Sequence, residues 1–348
     1  MKIGNKQIGN NNPCFIIAEL SANHNGSLDV AIETIRAAKR TGADAIKLQT
    51  YTPDTMTIDV NNEDFQISGG TLWDGKTLYE LYGEAYTPWE WHKRLFEVAK
   101  EEGLICFSSP FDITAVDFLE ELDVPAYKIA SFEIQDIPLI EYAASKGKPI
   151  IMSTGLAEEK DIKLAVETCR KVGNNDIVLL KCTSSYPAPL ELANLNTIPD
   201  LKSRFGVEVG FSDHTYGSLA PTIATTLGAN ILEKHFILHK NVGGPDADFS
   251  LDVTEFTEMV NKVRDTEKLL GKVSYEVSNK VKKNRKFARS LYVVSDVKAG
   301  EVITKENVRS IRPGFGLHPK YYIELLGKTF NQEAFRGTPL SIEMINQK

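Results

Sequence analysis

Through residue 270 the chain alternates short apolar runs with longer amphipathic segments. The apolar runs are 14–20, 45–49, 105–108, 126–129, 149–152, 177–181, 208–212 and 231–235. Each has the length and residue bias of a buried strand. Between them, apolar positions recur at helical spacing over 28–41, 89–102, 157–172 and 254–269. Eight strand–helix units in about 270 residues predict an α/β protein built on a (β/α)8 TIM barrel. An open doubly wound sheet is the alternative. No Gly-x-Gly-x-x-Gly follows the first strand, which counts against a dinucleotide fold.

Two stretches break the rhythm. Residues 51–87 form a long insert after the second predicted strand, rich in aromatic side chains such as Phe65, Trp73, Tyr79, Tyr82 and Tyr86. An insert of that length suggests a lid or binding loop, or a surface excursion packed by its own aromatics. After Gly271 the pattern changes to a Lys-rich helical stretch and then short strands punctuated by Gly and Pro. The expected division is a barrel over 1–270, a linker over 271–286 and a small β-rich domain over 287–348.

Charge follows the same division. Residues 271–348 hold 15 Lys+Arg against 7 Asp+Glu, a balance of +8, and the remainder holds 25 against 40, a balance of −15. A basic small part beside an acidic large part suggests docking between them, or a basic cover for an anionic ligand. No nucleic-acid motif accompanies the positive charge, so nucleic acid is not expected as a partner. No apolar run approaches the roughly 20 residues of a membrane span, and the first residues lack a signal-peptide core. Cys14, Cys106, Cys169 and Cys182 are widely spaced without a Cys-x-x-Cys pair. Three of them sit in strand-like apolar runs, where a buried inert thiol is the usual case, and a reducing cytoplasm with no membrane partner is expected.

The candidate chemistry sits at the strand ends, where the active site of a TIM barrel lies. Read in order, those ends carry Glu19, Lys47 with Gln49, Ser108 with Ser109, Lys128 with Ser131, Ser153 with Thr154, residues 181–186, Ser212 with His214, and His235. Strand alternation puts Lys47 with Gln49, and Ser212 with His214, on one face. His214 and His235 close successive predicted strands, so their imidazoles emerge side by side as a candidate divalent-metal site. Either histidine alone would be better explained as a polar cap. Lysines and hydroxyls together suit a phosphate or carboxylate group. The combination predicts a metal-assisted enzyme acting on a phosphorylated or carboxylated small molecule.

These stretches resemble the sialic acid (N-acetylneuraminate) synthase family over nearly the whole chain. The resemblance is carried by Ile17-Ala18-Glu19-Leu20-Ser21-Ala22-Asn23-His24-Asn25-Gly26, Ile46-Lys47-Leu48-Gln49-Thr50, Phe107-Ser108-Ser109-Pro110-Phe111 and Tyr127-Lys128-Ile129-Ala130-Ser131. It continues through Ser153-Thr154-Gly155, Gly210-Phe211-Ser212-Asp213-His214-Thr215 and Glu233-Lys234-His235-Phe236. Arg312-Pro313-Gly314-x-Gly316 resembles the family's C-terminal antifreeze-like (SAF) domain. The segments 73–82, 87–92 and 243–251 are most similar to the branch whose acceptor is 2,4-diacetamido-2,4,6-trideoxy-altrose.

The resemblance implies condensation of phosphoenolpyruvate with an open-chain N-acetylated amino sugar, giving a nine-carbon 2-keto acid and phosphate. An N-acetylmannosamine-like acceptor, as in N-acetylneuraminate or legionaminate synthesis, is the alternative. It implies that His214 and His235 hold a divalent ion (Mn²⁺, Mg²⁺ or Co²⁺) and that Glu19 manages a proton. It implies phosphoenolpyruvate contacts from Lys47, Ser109, Lys128, Ser131, Ser153 and Ser212, and sugar contacts from Gln49, Tyr186, Asp246 and Arg312. It further implies a domain-swapped homodimer, with Arg312 reaching the partner's barrel. A metal-dependent aldolase or hydrolase would share the barrel. A sugar- or ice-binding protein built around the C-terminal domain would leave the polar strand ends without a purpose.

Overall fold

The computed structural model describes residues 1–9, 12–68, 70 and 73–346, so the expected insert is described except at 69, 71 and 72. The chain divides into two compact units, Met1–Gly271 and Lys272–Lys348.

The first unit opens with a hairpin of β1 (Lys2–Ile3) and β2 (Lys6–Gln7). Eight parallel strands then close a barrel: β3 (Phe15–Glu19), β4 (Ala45–Thr50), β5 (Ile105–Pro110), β6 (Tyr127–Ile129), β7 (Ile150–Ser153), β8 (Ile177–Cys182), β9 (Glu208–Asp213) and β10 (Ile231–His235). They pair in sequence order, and β10 closes on β3 with His235 opposite Glu19. The predicted barrel is therefore the observed one, and the open sheet is not formed.

Alternation along each strand divides the core in two. Phe15, Ile17, Ala45, Phe107, Ile151, Val178, Leu180 and Ile231 fill the barrel interior, where Ile3 and Ile8 of the hairpin segment join them. Ile16, Ile46, Leu48, Tyr127, Met152, Leu179, Phe211 and Leu232 face the surrounding helices. Nothing in the strand pattern foretold the hairpin. Its two-residue strands are too short to show a period. Phe107 is fully buried in the interior cluster, and its truncation to alanine would cost about 3–5 kcal/mol.

The helices form where amphipathic runs meet good caps. Leu28–Thr41 starts at Ser27, whose side chain accepts from Val30 N, and ends at Gly42 with φ +87°. That left-handed terminus is one a glycine adopts without strain. In the insert, Leu78–Ala85 is held by a reciprocal capping box between Thr77 and Glu80, which satisfies two otherwise orphaned N–H groups.

The second unit, taken by itself, pairs β11 (Ser290–Val293) with β12 (Val308–Ile311) antiparallel. Leu291, Val293, Val297, Ile303, Val308, Leu325, Phe330 and Leu340 form its own small core.

Candidate active site

Inward-facing positions at the C-terminal strand ends bring four charged side chains together. Glu19 ends β3, Lys47 lies on β4, Lys128 on β6 and Glu233 on β10. All four are almost completely buried. Lys47 Nζ lies 2.7 Å from Glu19 Oε2 and 3.6 Å from Glu233 Oε1, while Lys128 Nζ lies 3.1 Å from the same Glu233 oxygen. Lys47 also donates to Ser109 Oγ at 3.1 Å, and Ser212 Oγ donates to Glu233 Oε1 at 3.3 Å. Gln49 Nε2 donates to Glu19 Oε1 at 3.1 Å and to Ser21 Oγ at 3.0 Å. Burial would raise both carboxyls, yet the outcomes differ. Against burial, Lys128 and Lys47 hold Glu233 down at about 2. Burial dominates at Glu19, which stays above the usual carboxylate range despite Lys47, with the Glu233 charge adding to the rise. The pair thus divides into one carboxylate held down by two lysines and one carboxyl pushed up by burial.

Hydroxyls and a glycine complete this half of the site. Ser153 Oγ is buried without a hydrogen-bond partner, which suits a group that binds a ligand. Gly155 N donates to Ser131 Oγ at 3.2 Å. A Cβ at Gly155 would lie 2.1 Å from Ser184 Oγ and 2.8 Å from Ser131 Oγ, so only glycine leaves this hydroxyl cradle open.

The two histidines do converge. Their ring centroids lie 5.4 Å apart, edge to face. His214 Nδ1 donates to the Thr183 carbonyl at 2.9 Å, which leaves Nε2 with its lone pair. His235 Nδ1 is buried and makes no hydrogen bond, with Asp246 Oδ2 3.5 Å away. Two imidazoles, one orphaned nitrogen and a nearby carboxylate are a donor set that fits a divalent ion. Among the described residues no group of three or more His, Cys, Asp or Glu has metal-site geometry.

An aromatic wall lies against the imidazoles. Tyr186 sits 4.2 Å from His214, 5.3 Å from Phe249 and 6.2 Å from Trp73, centroid to centroid. Phe249 is 5.0 Å from His235. Asp246 is held below the usual carboxylate range: burial opposes this, but His235, Ser21 Oγ and Ala22 N stabilise its charge.

Of the residues singled out from sequence, Glu19, Lys47, Gln49, Ser109, Lys128, Ser131, Ser153, Tyr186, Ser212, His214, His235 and Asp246 belong to this one region of the first unit. Arg312 belongs to the second unit, directly after β12. Two strand-end polar residues turn away, because alternation gives each strand one inward position in two. Ser108 faces outward and contacts Thr50 Oγ1 at 2.6 Å. Lys181 Nζ donates to the Cys182 carbonyl at 2.6 Å. Glu233 was not singled out, although its position two residues before His235 on the same strand was the available signal. Cys182 is a buried free thiol, as expected. Its Sγ lies 3.9 Å from His214 Nδ1, beside the paired imidazoles.

The comparisons identify the family of synthases to which this barrel belongs. The chain belongs to the NeuB family, whose profile matches residues 34–275, and a SAF domain matches residues 288–346. It is 52% identical to the pseudaminic acid synthase of Campylobacter jejuni, over 96% of this chain and 98% of that protein. It is 49% identical to the pseudaminic acid synthase of Helicobacter pylori, again over 96% and 98%. The crystal structure of N-acetylneuraminic acid synthetase from Leptospira borgpetersenii superposes with a TM-score of 0.72 at 32% identity, covering 82% of this chain and 94% of that one.

Proposed function

We propose that this chain carries out the pseudaminic acid synthase reaction, a transferase step that joins phosphoenolpyruvate to open-chain 2,4-diacetamido-2,4,6-trideoxy-altrose. The carrying observation is the buried Lys47–Glu19–Glu233–Lys128 cluster beside two imidazoles, in a chain about half identical to pseudaminic acid synthases along almost its full length.

Lys47 and Lys128, with Ser109, Ser131, Ser153 and Ser212, bind the phosphate and carboxylate of phosphoenolpyruvate. Buried cations and hydroxyls are the groups that recognise such oxyanions. Glu233 stays ionised between the lysines and fixes their positions. C3 of the enol attacks the sugar aldehyde carbon, and a C–C bond forms. The aldehyde oxygen then takes a proton, for which Glu19 is the donor, oriented by Gln49. Water adds at C2 and gives up a proton. The resulting tetrahedral carbon breaks its C–O bond to phosphate, the hydroxyl proton leaves with the phosphate, and C2 becomes the ketone. Tyr186 and Asp246 hold the sugar. His214 and His235 would hold the divalent ion, Mn²⁺, Mg²⁺ or Co²⁺, whose chemistry when bound is Lewis-acid polarisation of oxygen.

The reading includes a cytoplasmic site of action. All four cysteines are free, as suits a reducing compartment, and no helix among the described residues is long and apolar enough to cross a membrane. The working form is a homodimer in which Arg312 of one chain contacts the sugar in its partner's barrel. The deciding assay is phosphate release with each substrate alone and with both, followed by mass spectrometry of the product. Release only with both, and a nine-carbon product, is expected. Release from phosphoenolpyruvate alone, or a product without the new C–C bond, overturns the reading.

A further inference from the structure

Three consecutive residues after β3 hold Asp246, which lies far away in sequence. Ser21, Ala22 and Asn23 are all buried. Ser21 Oγ and Ala22 N act on the Asp246 carboxylate and stabilise its charge. Asn23 Nδ2 donates to the Phe236 carbonyl at 3.0 Å and to Ser250 Oγ at 2.8 Å. Ser250 Oγ in turn donates to the Asp246 carbonyl at 2.6 Å. Both the carboxylate and the backbone of Asp246 are therefore set from the turn at residues 20–23. That turn is closed by Asn23 N, which donates to Leu20 O at 3.0 Å.

Ser21 has a second role in the same turn. Gln49 Nε2 donates to Ser21 Oγ at 3.0 Å and to Glu19 Oε1 at 3.1 Å. A hydroxyl that accepts from an amide keeps its own proton for another acceptor, and Asp246 is the carboxylate it stabilises. Asp246 Oδ2 lies 3.5 Å from His235 Nδ1. One hydroxyl thus joins Glu19 and Gln49 to Asp246 and, beyond it, to His235. The same contacts fix the Gln49 amide, because with both Nε2 hydrogens engaged its Oε1 is the atom left to offer a ligand. The backbone gives no separate reason for a serine here. Ser21 has φ +47°, a left-handed conformation that glycine adopts without strain. A non-glycine residue in that region persists where its surroundings over-determine it, and here the hydroxyl contacts do so.

We infer that Ser21 is a positioning residue for the condensation, its hydroxyl locking Gln49 on β4 and Asp246 in the loop after β10 into one fixed arrangement. The inference rests on the function proposed above, in which Asp246 holds the sugar and Gln49 orients Glu19. Ser21 acts through those two side chains. Loss of a hydrogen bond to a charged group lowers efficiency by about 10- to 150-fold, so removal of this hydroxyl is expected to have an effect of that order on sugar use.

The test is kcat/KM for 2,4-diacetamido-2,4,6-trideoxy-altrose, KM for phosphoenolpyruvate and the melting temperature, measured on wild type, Ser21→Gly, Ser21→Ala and Ser21→Asn. Ser21→Gly removes the hydroxyl and keeps the left-handed turn. Its efficiency toward the sugar should fall about 10- to 150-fold, while KM for phosphoenolpyruvate stays near the wild-type value. Ser21→Ala loses the same hydroxyl and should match that fall, but with a lower melting temperature than Ser21→Gly, because alanine strains the turn. Ser21→Asn tolerates the left-handed region and carries both a donor and an acceptor, so it should recover most of the loss. If Ser21→Gly does not fold, Ser21→Ala decides. Wild-type efficiency toward the sugar in the deciding variant overturns the role of Ser21 alone. A loss shared equally by sugar use and phosphoenolpyruvate KM makes the residue merely structural, and a folded Ser21→Asn no better than Ser21→Gly removes the hydrogen-bonding role. A wild type that does not condense the two substrates removes the proposed function itself, and the positioning role with it.

Discussion

Lys234 Nζ lies 2.5 Å from Asp213 Oδ2, and both side chains are buried. They occupy the positions on β10 and β9 that alternate with the inward-facing Glu233 and Ser212, so the pair lies on the helix side of the barrel wall. It closes on a single residue. Asp213 Oδ1 accepts from Thr215 N at 2.8 Å, and Lys234 Nζ donates to Thr215 O. Both backbone groups of Thr215 are clamped, which sets the chain direction immediately after His214. The same two strands carry both imidazoles, so the ion pair fixes their approach.

Lys234→Met strands a buried carboxylate. Removing one partner of such a pair costs about 3–5 kcal/mol, which denaturant unfolding should read directly. Lys234→Met combined with Asp213→Leu should lose less than the sum of the single changes. A cost below about 1 kcal/mol in the single variant would show that the pair does not hold the strand ends.

The paired imidazoles give a second expectation. His214→Ala or His235→Ala should abolish turnover while far-ultraviolet circular dichroism remains that of the wild type. Exhaustive chelation of the wild type should do the same, with activity returning on addition of Mn²⁺, Mg²⁺ or Co²⁺. Undiminished activity after chelation removes the ion from the reaction.

His24 and His92 tie stability to pH. Both are fully buried, and burial brings each from the ordinary 6.5 down to about 4. His24 Nδ1 accepts from Gly26 N at 3.1 Å, a bond that protonation of Nδ1 would destroy. With the folded pKa below the unfolded one, the unfolded chain binds more protons between about pH 4 and 6.5. The contribution is complete above 6.5 and is lost as pH falls through that window, by up to roughly 3 kcal/mol for each histidine. Glu133 works in the opposite sense, because burial raises its carboxyl to about 7 against Lys128. The histidines are therefore isolated by difference. His92→Gln should flatten the fall in unfolding free energy between pH 6.5 and 4.5 relative to wild type. An unchanged slope would assign the acid sensitivity elsewhere.

The barrel was legible because its strands are buried on both faces and stand out as apolar runs. Residues 231–235 were predicted as the strand observed, and helix 28–41 was found within the same bounds. Site residues were legible where strand alternation carries them, as with Lys47 and Gln49. Glu233 shows the limit of that signal. A glutamate inside an apolar run becomes informative only when Lys47 and Lys128, distant in sequence, are known to converge on it. The part played by Ser21 rests on a left-handed backbone, which no side-chain pattern reports.

Arg312 supplies the last expectation. It follows β12 directly, in the basic second unit, within the motif that resembles the family's sugar-contacting arginine. If it hydrogen-bonds an N-acyl oxygen, a charge-assisted bond of roughly 1.5–3 kcal/mol is at stake. Arg312→Ala should then lower efficiency toward the sugar by about 10- to 150-fold, with little change in phosphoenolpyruvate binding. The dimer makes a sharper demand. In a hybrid of one His235→Ala chain and one Arg312→Ala chain, exchange of second units across the dimer gives one site with both parts intact and one with neither. Mixing the two impaired proteins should therefore restore activity, towards a quarter of the wild-type rate if the chains exchange at random. Subunit exchange can be followed by native mass spectrometry of differently tagged chains. Hybrids that form and remain as impaired as their parents would show that Arg312 does not act across the dimer.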